Sequence, residues 1–352
     1  MNDLPPMKAS RDDAARLLRG AARKHAIVVR DLFLPEELRL NERERLTARA
    51  LLDRLIRTVE DEVRTELATR FTAQEALHAA LASAHVEIAA PRLQSSRLLR
   101  NGDLVGLLLR RVEEHRLFLA ARQPAAQLFA LVADRDPQVA TDAMAVLVAR
   151  NRRLDRFQDP ALARTELPAE LQHELVWTVA AALRTYLIET HGVDAAAADH
   201  LLGAAARRSM AVHDEGDGLE ARCARLARRL HGTDRLDSET IVAFLAEGTL
   251  PLFLAGLSAA AGISASAAWD ILADPIGRGP VFLLGAAGLD RAQAARALML
   301  LAAEPDDDLL IEQIALFDTF GRDEAVQALS LWALDPAYRN AVLLLSDCEA
   351  VA

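Results

Sequence analysis

Along most of the chain, apolar residues recur three and four positions apart, as expected of helices that turn one side towards a core. After Asn41, the run ERERLTARALLDRLI places Leu51, Leu52, Leu55 and Ile56 on one such side, between charged residues. Asn41 is a suitable N-cap for this helix. Alternating runs of β-branched and aromatic residues, which are typical of strands, are nearly absent. The pattern therefore predicts an all-α protein.

A short motif indicates where helices end and begin in the second half of the chain. It consists of Gly, one aliphatic residue and then Asp or Ser, and its copies begin at Gly192, Gly262 and Gly288. Glycine suits the left-handed position that ends a helix. The Asp or Ser can cap the next helix by accepting a backbone N–H. The motif predicts antiparallel helices joined by tight turns.

The first half of the chain suggests four helix pairs. Each pair has an inward aliphatic residue in a similar setting, namely Val63, Ile88, Leu117 and Val139. The steps between these residues are uneven and shorter than the roughly 40 residues of a HEAT unit. Asp136-Pro137 is a strong helix start, because proline is accepted at the first helical position after an Asp cap. The prediction is a HEAT-like helical-repeat array, an α-solenoid.

Proline and charge divide the chain into four predicted parts. Residues 1–10 are predicted to be disordered, 11–151 to form HEAT-like repeats, 152–167 to be a linker, and 168–352 to be an Ala/Leu-rich helical domain. The linker contains Pro160, is followed by Pro168, and has little periodicity. We also expect a helix over 12–29 and a mobile loop at 213–218. In the last part we predict short helices, among them 238–246, 250–261, 265–272, 307–317 and 323–334.

Composition and charge narrow the class of protein. The net charge of −10 argues against a nucleic-acid partner, since DNA-binding surfaces are basic. Cys223 and Cys348 are far apart and form no CxxC motif, which fits a reducing compartment. The N-terminus lacks a signal-peptide pattern. The uncharged run 248–268 is broken by glycines and Pro251, so we interpret it as a buried helical hairpin and not as a membrane span. A cytoplasmic protein is expected.

The sequence offers little catalytic chemistry. His213-Asp214 is the kind of pair that binds metal in HD-type phosphohydrolases, but the other histidines do not follow at a matching spacing. The glycines at 277 and 279 lack the preceding strand and the Lys-Ser/Thr of a phosphate-binding loop. We expect no catalytic residue, no bound metal and no cofactor. A metal-dependent phosphohydrolase remains an alternative.

Two arginine clusters are the remaining candidates for binding. One comprises Arg110, Arg111, Arg116 and Arg122, and the other Arg222, Arg225, Arg228 and Arg229. Such residues could hold nucleic acid on the concave face of a helical array. The competing interpretation is a solvated helix face that is paired with Glu113, Glu114 and Glu220. Few aromatic residues accompany either cluster, which favours the second interpretation.

Five sequence blocks carry a resemblance to a known family. They are LNERERLTARALLDRL, VRTELATRF, HVEIAAPRLQSSRLL, EEHRLFLAARQ and DPQVATDAMAVLVARN. Their order and spacing resemble those of a bacterial family filed as domain of unknown function 2336 (DUF2336). The resemblance covers most of residues 11–303. It implies a HEAT-like fold with no assigned activity and no catalytic residues to carry over.

Three polar residues fall on these blocks: His115, Arg122 and Asn151. His115 and Arg122 are seven residues apart, so they share one side of an unbroken helix. They could form a small polar binding patch. Alternatively they are structural, with Arg122 binding the carbonyls at a helix end and Asn151 serving as a left-handed cap.

These observations favour a non-catalytic function. Stacked helices present a long surface with many independent contact positions, which suits an extended protein partner. We therefore predict a protein-binding scaffold or regulatory adaptor. Nucleic-acid binding through the arginine clusters is the first alternative, and the phosphohydrolase is the second.

Overall fold

The computed structural model describes residues 40–71, 74–83, 86–95, 99, 101–121, 125–211, 216, 218–274, 277–302, 306–339, 341–342 and 345. Within these residues all regular structure is helical, and the one extended pairing is an isolated bridge between Leu154 and Pro160. The prediction of an all-α protein is thereby confirmed for this part of the chain. Residues 1–10 and the helix predicted over 12–29 lie outside the described residues, as does most of the loop 213–218.

The helix bounds follow the sequence pattern closely. The α-helices are α1 (Glu42–Ala68), α2 (Glu75–Ala82), α3 (Ala89–Ser95), α4 (Gly102–Ala120), α5 (Ala126–Val132), α6 (Pro137–Asn151), α7 (Ala169–His191), α8 (Ala195–Met210), α9 (Leu219–Gly232), α10 (Ser238–Ala246), α11 (Leu250–Ala261), α12 (Ala265–Leu272), α13 (Arg278–Ala286), α14 (Arg291–Leu301), α15 (Asp307–Phe317) and α16 (Arg322–Ala328). Short 3-10 helices cover Arg164–Glu166 and Ser330–Ala333. The single helix predicted over 323–334 is wrong, because α16 ends early and tightens into the second 3-10 turn.

The Gly-aliphatic-Asp/Ser motif acts as predicted at all three positions. Gly192, Gly262 and Gly288 have φ of 62°, 71° and 80°, the left-handed region that favours glycine. The caps that follow accept backbone N–H groups: Asp194 from Ala197, Ser264 from Ala267 and Asp290 from Gln293. Asp136 likewise caps α6 by accepting from Gln138 N at 2.9 Å. The caps satisfy amides that a helix start leaves without intrahelical partners.

Helix α1 carries a buried polar pair that fixes its neighbours. Arg64 donates to Leu81 O at 3.0 Å, to Ala80 O at 2.7 Å and to Val86 O at 2.7 Å, and it also contacts Ser83 O. Glu60 accepts from the amides of Ile88 and Ala89 at 3.0 and 2.8 Å. The guanidinium therefore closes the end of α2, and the carboxylate holds the start of α3.

Two clusters of buried apolar residues form the interior. The first core draws on residues 51–112 and 162–206, and the second on 117–149 and 219–329. The four predicted inward aliphatics, Val63, Ile88, Leu117 and Val139, are all buried. Helix α4 serves both cores, since Leu104, Leu108 and Val112 belong to the first and Leu117 to the second. The division of the chain at residues 152–167 stays a prediction, and each core draws on both sides of that segment.

Helix α11 lies inside the second core. Every residue from Leu250 to Leu257 is buried, so the first part of this helix has no solvent-facing side. A helix that is apolar all round belongs in an interior. The predicted buried hairpin over 248–268 is confirmed in its first helix, while α12 buries Ala267, Ala268 and Ile271 on one side.

Candidate functional site

Charged residues occupy the junction between the two cores. On α4, Arg110, Arg111 and Glu114 lie between Leu108 of the first core and Leu117 of the second, and all three are buried. The sequence had favoured a solvated face here. That interpretation is wrong for Arg110 and Arg111, which are 9% and 3% exposed. Their burial depends on carboxylates from distant segments, since Glu220 pairs with Arg110 and Glu166 with Arg111.

Arg153 is the centre of the arrangement. It is 3% exposed and donates from Nη1 to Glu114 at 2.8 Å, from Nε to Glu166 at 2.8 Å, and from Nη2 to Glu220. Glu114 comes from α4, Glu166 from the 3-10 helix that precedes α7, and Glu220 from the first turn of α9. One guanidinium therefore joins three separate parts of the chain.

The remaining arginines complete a six-residue junction network. Arg111 Nη1 lies 2.6 Å from Glu114 Oε2, and its Nη2 lies 3.7 Å from Glu166 Oε2. Arg110 Nη2 lies 3.6 Å from Glu220 Oε1. We define the junction network as Arg110, Arg111, Arg153, Glu114, Glu166 and Glu220. Its three positive and three negative charges cancel, so burying it is tolerated although each ion alone would be costly to desolvate.

The pKa shifts agree with fully charged partners. Burial alone would raise the pKa of Glu220, but attraction by Arg153, Arg110 and Arg111 outweighs it and holds that pKa well below its usual range. Burial works to lower the pKa of Arg153, yet Glu114, Glu220 and Glu166 raise it above its ordinary value. At Arg111, burial dominates and repulsion by Arg153 adds to it, so its pKa is lowered. The carboxylates thus compensate the charge of Arg153 more fully than that of Arg111.

A pocket opens on one side of the network, with about 300 Å³ of empty space that includes its opening to solvent. We call it the arginine pocket. It is lined by Arg111, Glu114, His115, Phe118, Arg150, Arg153, Leu154, Pro160 and Gly248. Arg150 stacks over the Phe118 ring, with Cζ 5.2 Å from the centroid. Arginine side chains therefore dominate the polar part of its lining.

The loop at residues 154–160 forms one wall of the arginine pocket. Asp155 organises it by accepting from Phe157 N at 2.8 Å and from Asp159 N at 3.0 Å. Arg54 of α1 holds the loop from one side through Asp155 Oδ2 at 3.0 Å. From the other side, His115 Nε2 lies 2.9 Å from Gln158 O. The wall is thus fixed to both α1 and α4.

A second concavity, the outer groove, is lined by other members of the network. It has about 680 Å³ of empty space, including open solvent, and its lining includes Leu107, Arg110, Glu166, Leu167 and Glu220. Two carboxylates face one guanidinium there. The two concavities therefore differ in charge: the arginine pocket has three arginines for one carboxylate in its lining, and the outer groove has the opposite excess.

The other predicted site residues are dispersed. Arg116 pairs with Glu113 and donates to Leu301 O at 2.7 Å and Ala302 O at 3.2 Å, so it caps the end of α14. Asn151 is exposed and is the last residue of α6. The left-handed cap suggested for it is wrong, because the chain continues at Arg152 in right-handed geometry with φ −72°. Arg122 lies outside the described residues, as do His213 and Asp214.

The second arginine cluster lies on the surface of α9. Arg229 pairs with Asp142 Oδ2 at 2.7 Å and contacts Gln138, which ties α9 to α6. Arg225 donates to Gly216 O at 3.4 Å and Arg228 to Ala224 O at 3.2 Å. Each of these three arginines therefore contacts different nearby partners.

Sequence reasoning missed Arg150, Arg153 and Glu166. They lie at the end of α6 and in the segment that the sequence marks as a linker. Because that segment has no helical period, nothing in it shows which side chains turn inward. The cluster of arginines around residue 150 was the available signal, and it was masked by the high arginine content of the whole chain.

The described residues contain neither a ready metal-binding cluster nor a single helix that could span a membrane. No group of three or more His, Cys, Asp or Glu side chains in the described part is arranged to hold a metal ion. No single helix there combines the length and apolarity needed to cross a bilayer, whereas α11 and α12 together reach those limits with a bend of 106° between them.

Comparison with known proteins gives one match. A family model described as an uncharacterised protein conserved in bacteria (DUF2336) matches residues 88–330. The matched part includes the arginine pocket and the junction network, and it confirms the resemblance seen in the sequence; the blocks before residue 88 lie outside it. No curated protein and no solved structure matches the chain.

Proposed function

The chain belongs to the bacterial family DUF2336, and on that premise we propose that it is a non-catalytic protein-binding scaffold or regulatory adaptor. We further propose that its helices stack as a HEAT-like array and that it works in the cytoplasm. The support for protein binding is an exposed apolar surface near the C-terminal end of the described chain.

That surface, here called the C-terminal surface, consists of the exposed side chains of residues 299–345. It contains eight of the seventeen large apolar side chains that are exposed in the described residues: Met299, Leu309, Ile311, Val326, Leu331, Leu334, Tyr338 and Leu345. Ile311 is 66% exposed and Tyr338 61%. Single exposed apolar residues are ordinary, and the concentration of eight of them in one stretch of the chain is the support for a binding surface there.

The charge of the C-terminal surface indicates the kind of partner. Residues 299–345 hold nine acidic residues and two basic ones, Arg322 and Arg339. Arg322 donates to the carbonyls of Ala286 and Ala260 at 3.3 and 3.4 Å. Arg339 is buried with Cζ 4.1 Å from the centroid of the Trp332 ring. With both arginines engaged, the exposed charge is acidic, and a partner segment with apolar and basic side chains would complement it.

The alternatives have less support. Arg110, Arg111 and Arg116 are all in ion pairs, and Arg110 and Arg111 are also buried, so the three present little positive charge on the outer surface where a nucleic-acid backbone would lie. The phosphohydrolase alternative depends on His213 and Asp214, which lie outside the described residues. No described residue adds support to either alternative.

The test compares proteins captured by three forms of the tagged full-length chain from cells of the source bacterium. The double variant Ile311→Gln/Tyr338→Gln alters the C-terminal surface, and Leu46→Gln/Phe129→Gln is the matched control, with exposures of 59% and 55% elsewhere on the surface. We expect a partner that is enriched by the wild type and by the control and is lost with the first variant. The captured partner is then purified and its binding measured at low and high salt, where its affinity should fall with salt.

Two results would count against the proposal. One is an identical set of captured proteins for all three forms of the chain. The other is a purified candidate whose binding is unchanged by the Ile311→Gln/Tyr338→Gln substitutions. In either case the C-terminal surface is not the docking site.

A further inference from the structure

The arginine pocket has an excess of positive charge at its wall. Arg111, Arg150 and Arg153 face one carboxylate, that of Glu114. Glu114 Oε2 is already bound by Arg111 at 2.6 Å and by Arg153 at 2.8 Å. The other carboxylates of the junction network, Glu166 and Glu220, line the outer groove instead. The carboxylates that compensate the arginine charges are therefore concentrated at the outer groove.

Two donor atoms that belong to arginines of the pocket lining have no acceptor. Arg111 Nε and Arg150 Nη2 are both buried and make no hydrogen bond with the described residues. Arg111 is 3% exposed, so bulk solvent does not reach its Nε. A buried donor without an acceptor costs about 1–3 kcal/mol, and more when the group is charged. An acceptor that came within reach of these two atoms would recover that cost.

We propose that the arginine pocket binds a small oxyanion, a carboxylate or a phosphate, through Arg111 and Arg150. A guanidinium presents its N–H groups in a planar fork that matches the oxygens of these anions. A cation would meet three arginines, and a neutral ligand would leave the charge excess uncompensated. Apart from its opening to solvent, the pocket has room for only about one or two water-sized groups, which restricts it to a very small anion or a single acidic group.

The electrostatics of Arg150 agree with this assignment. Burial lowers the pKa of Arg150, while Glu114 and Glu247 raise it only in part. Glu247 is occupied by the amide of Gln127, which it accepts at 2.8 and 2.7 Å. An anion in the pocket would stabilise the charged guanidinium that the protein leaves partly uncompensated.

An anion bound in the arginine pocket would stabilise the junction of the two cores. The pocket wall combines α4, the end of α6, the loop 154–160 and Gly248 before α11. An anion held by Arg111 and Arg150 would add a contact between α4 and α6. The ligand should therefore raise the stability of the whole chain as well as occupy a site.

The experiment is calorimetric titration of the full chain with inorganic phosphate and, separately, with acetate, against chloride at equal ionic strength. We expect saturable binding of at least one anion by the wild type. Arg150→Gln should weaken it about tenfold or more, because a charge-assisted hydrogen bond is lost. Arg152→Gln is the matched control, since Arg152 is exposed two residues further on and carries the same charge. It should bind as the wild type does.

The melting temperature gives a second measurement. The binding anion should raise it in the wild type and in Arg152→Gln, and much less in Arg150→Gln. If Arg150→Gln does not fold, Arg150→Lys takes its place, because it keeps the charge and loses the fork; weaker binding supports the site. Absence of saturable binding of both anions at millimolar concentration would overturn the proposal. Equal binding by the Arg150 and Arg152 variants would do so as well.

Discussion

Arg153 Nη1 lies 2.8 Å from Glu114 Oε2, and this contact joins the end of α6 to the middle of α4 between two hydrophobic cores. The residues next to Arg153 and Glu114 in sequence do not indicate this contact. The pair shows how the chain uses buried charge: Arg153 binds three carboxylates, so the positions of α4, α9 and the 3-10 helix at Arg164–Glu166 depend on one guanidinium.

Substitution of Arg153 by Met should destabilise the protein by about 3–5 kcal/mol, because Glu114, Glu166 and Glu220 then share only Arg110 and Arg111, and one negative charge of the network is left in excess. Denaturation in urea measures the change in the free energy of unfolding. The control is Arg152→Met at an exposed position, which should alter that free energy by less than about 0.5 kcal/mol. Equal effects of the two substitutions would show that the network contributes nothing to stability.

Glu220 should make the stability depend on pH. Its pKa is lower in the folded chain than in the unfolded chain, so it stabilises the fold at pH values above the unfolded pKa. This contribution is complete at neutral pH and is lost as pH falls below about 4.3, the ordinary value for Glu. Glu220→Gln should therefore be less stable than the wild type at pH 7, and the difference should shrink in acid. Unfolding free energies of both proteins from pH 7 to pH 3 measure this; a constant difference would refute it.

Gly248 should not tolerate a side chain. Its φ is +67°, and a Cβ would lie 2.7 Å from Phe118 Cα and 2.8 Å from Leu117 O, which are backbone atoms that cannot easily move. Gly262 is the matched control, with φ +71° and nothing within 4 Å of its Cβ position. Gly262→Ala should cost about 1–2 kcal/mol for the left-handed backbone alone, and Gly248→Ala about 1–3 kcal/mol more for the clash. Thermal and urea unfolding of both variants give the comparison.

Arg64 should not be replaceable by Lys. The guanidinium reaches carbonyls at the end of α2 and beyond it, at Leu81, Ala80 and Val86, and a single ammonium cannot match that spread. Arg64→Lys should lower the free energy of unfolding by about 1–3 kcal/mol, since buried carbonyls lose their donors. The exposed Arg57→Lys on the same helix is the control, and its unfolding curve should overlay that of the wild type. Overlap of the Arg64→Lys curve as well would contradict this role.

The local structure could largely be predicted from the sequence. Glycines and caps such as Gly262 and Ser264 determine helix ends through backbone geometry, which depends on a few adjacent residues. Apolar spacing likewise identified buried residues such as Val63 and Val139. The candidate site could not be predicted in this way. Its members come from α4, the segment after α6, a 3-10 helix and α9, and only the packing of distant segments brings them together.

Arg110 and Arg111 show most clearly why the candidate site could not be predicted from local sequence. By residue type they belong on a surface, and their sequence neighbours Glu113 and Glu114 suggested solvent-exposed pairs. Their burial requires carboxylates from residues 166 and 220, which no local pattern reveals. Sequence spacing therefore gave the correct pairing with Glu114 and the wrong environment.

Because α4 is shared between the two cores, it affects how the chain unfolds. Because Leu104 and Leu108 secure one end of this helix and Leu117 the other, loss of either core removes the support of the other. The described chain should behave as one cooperative unit, and amide protons in the middle of α4 should exchange with solvent only when the whole molecule opens. Separate production of the two sequence halves would then yield chains that cannot fold alone.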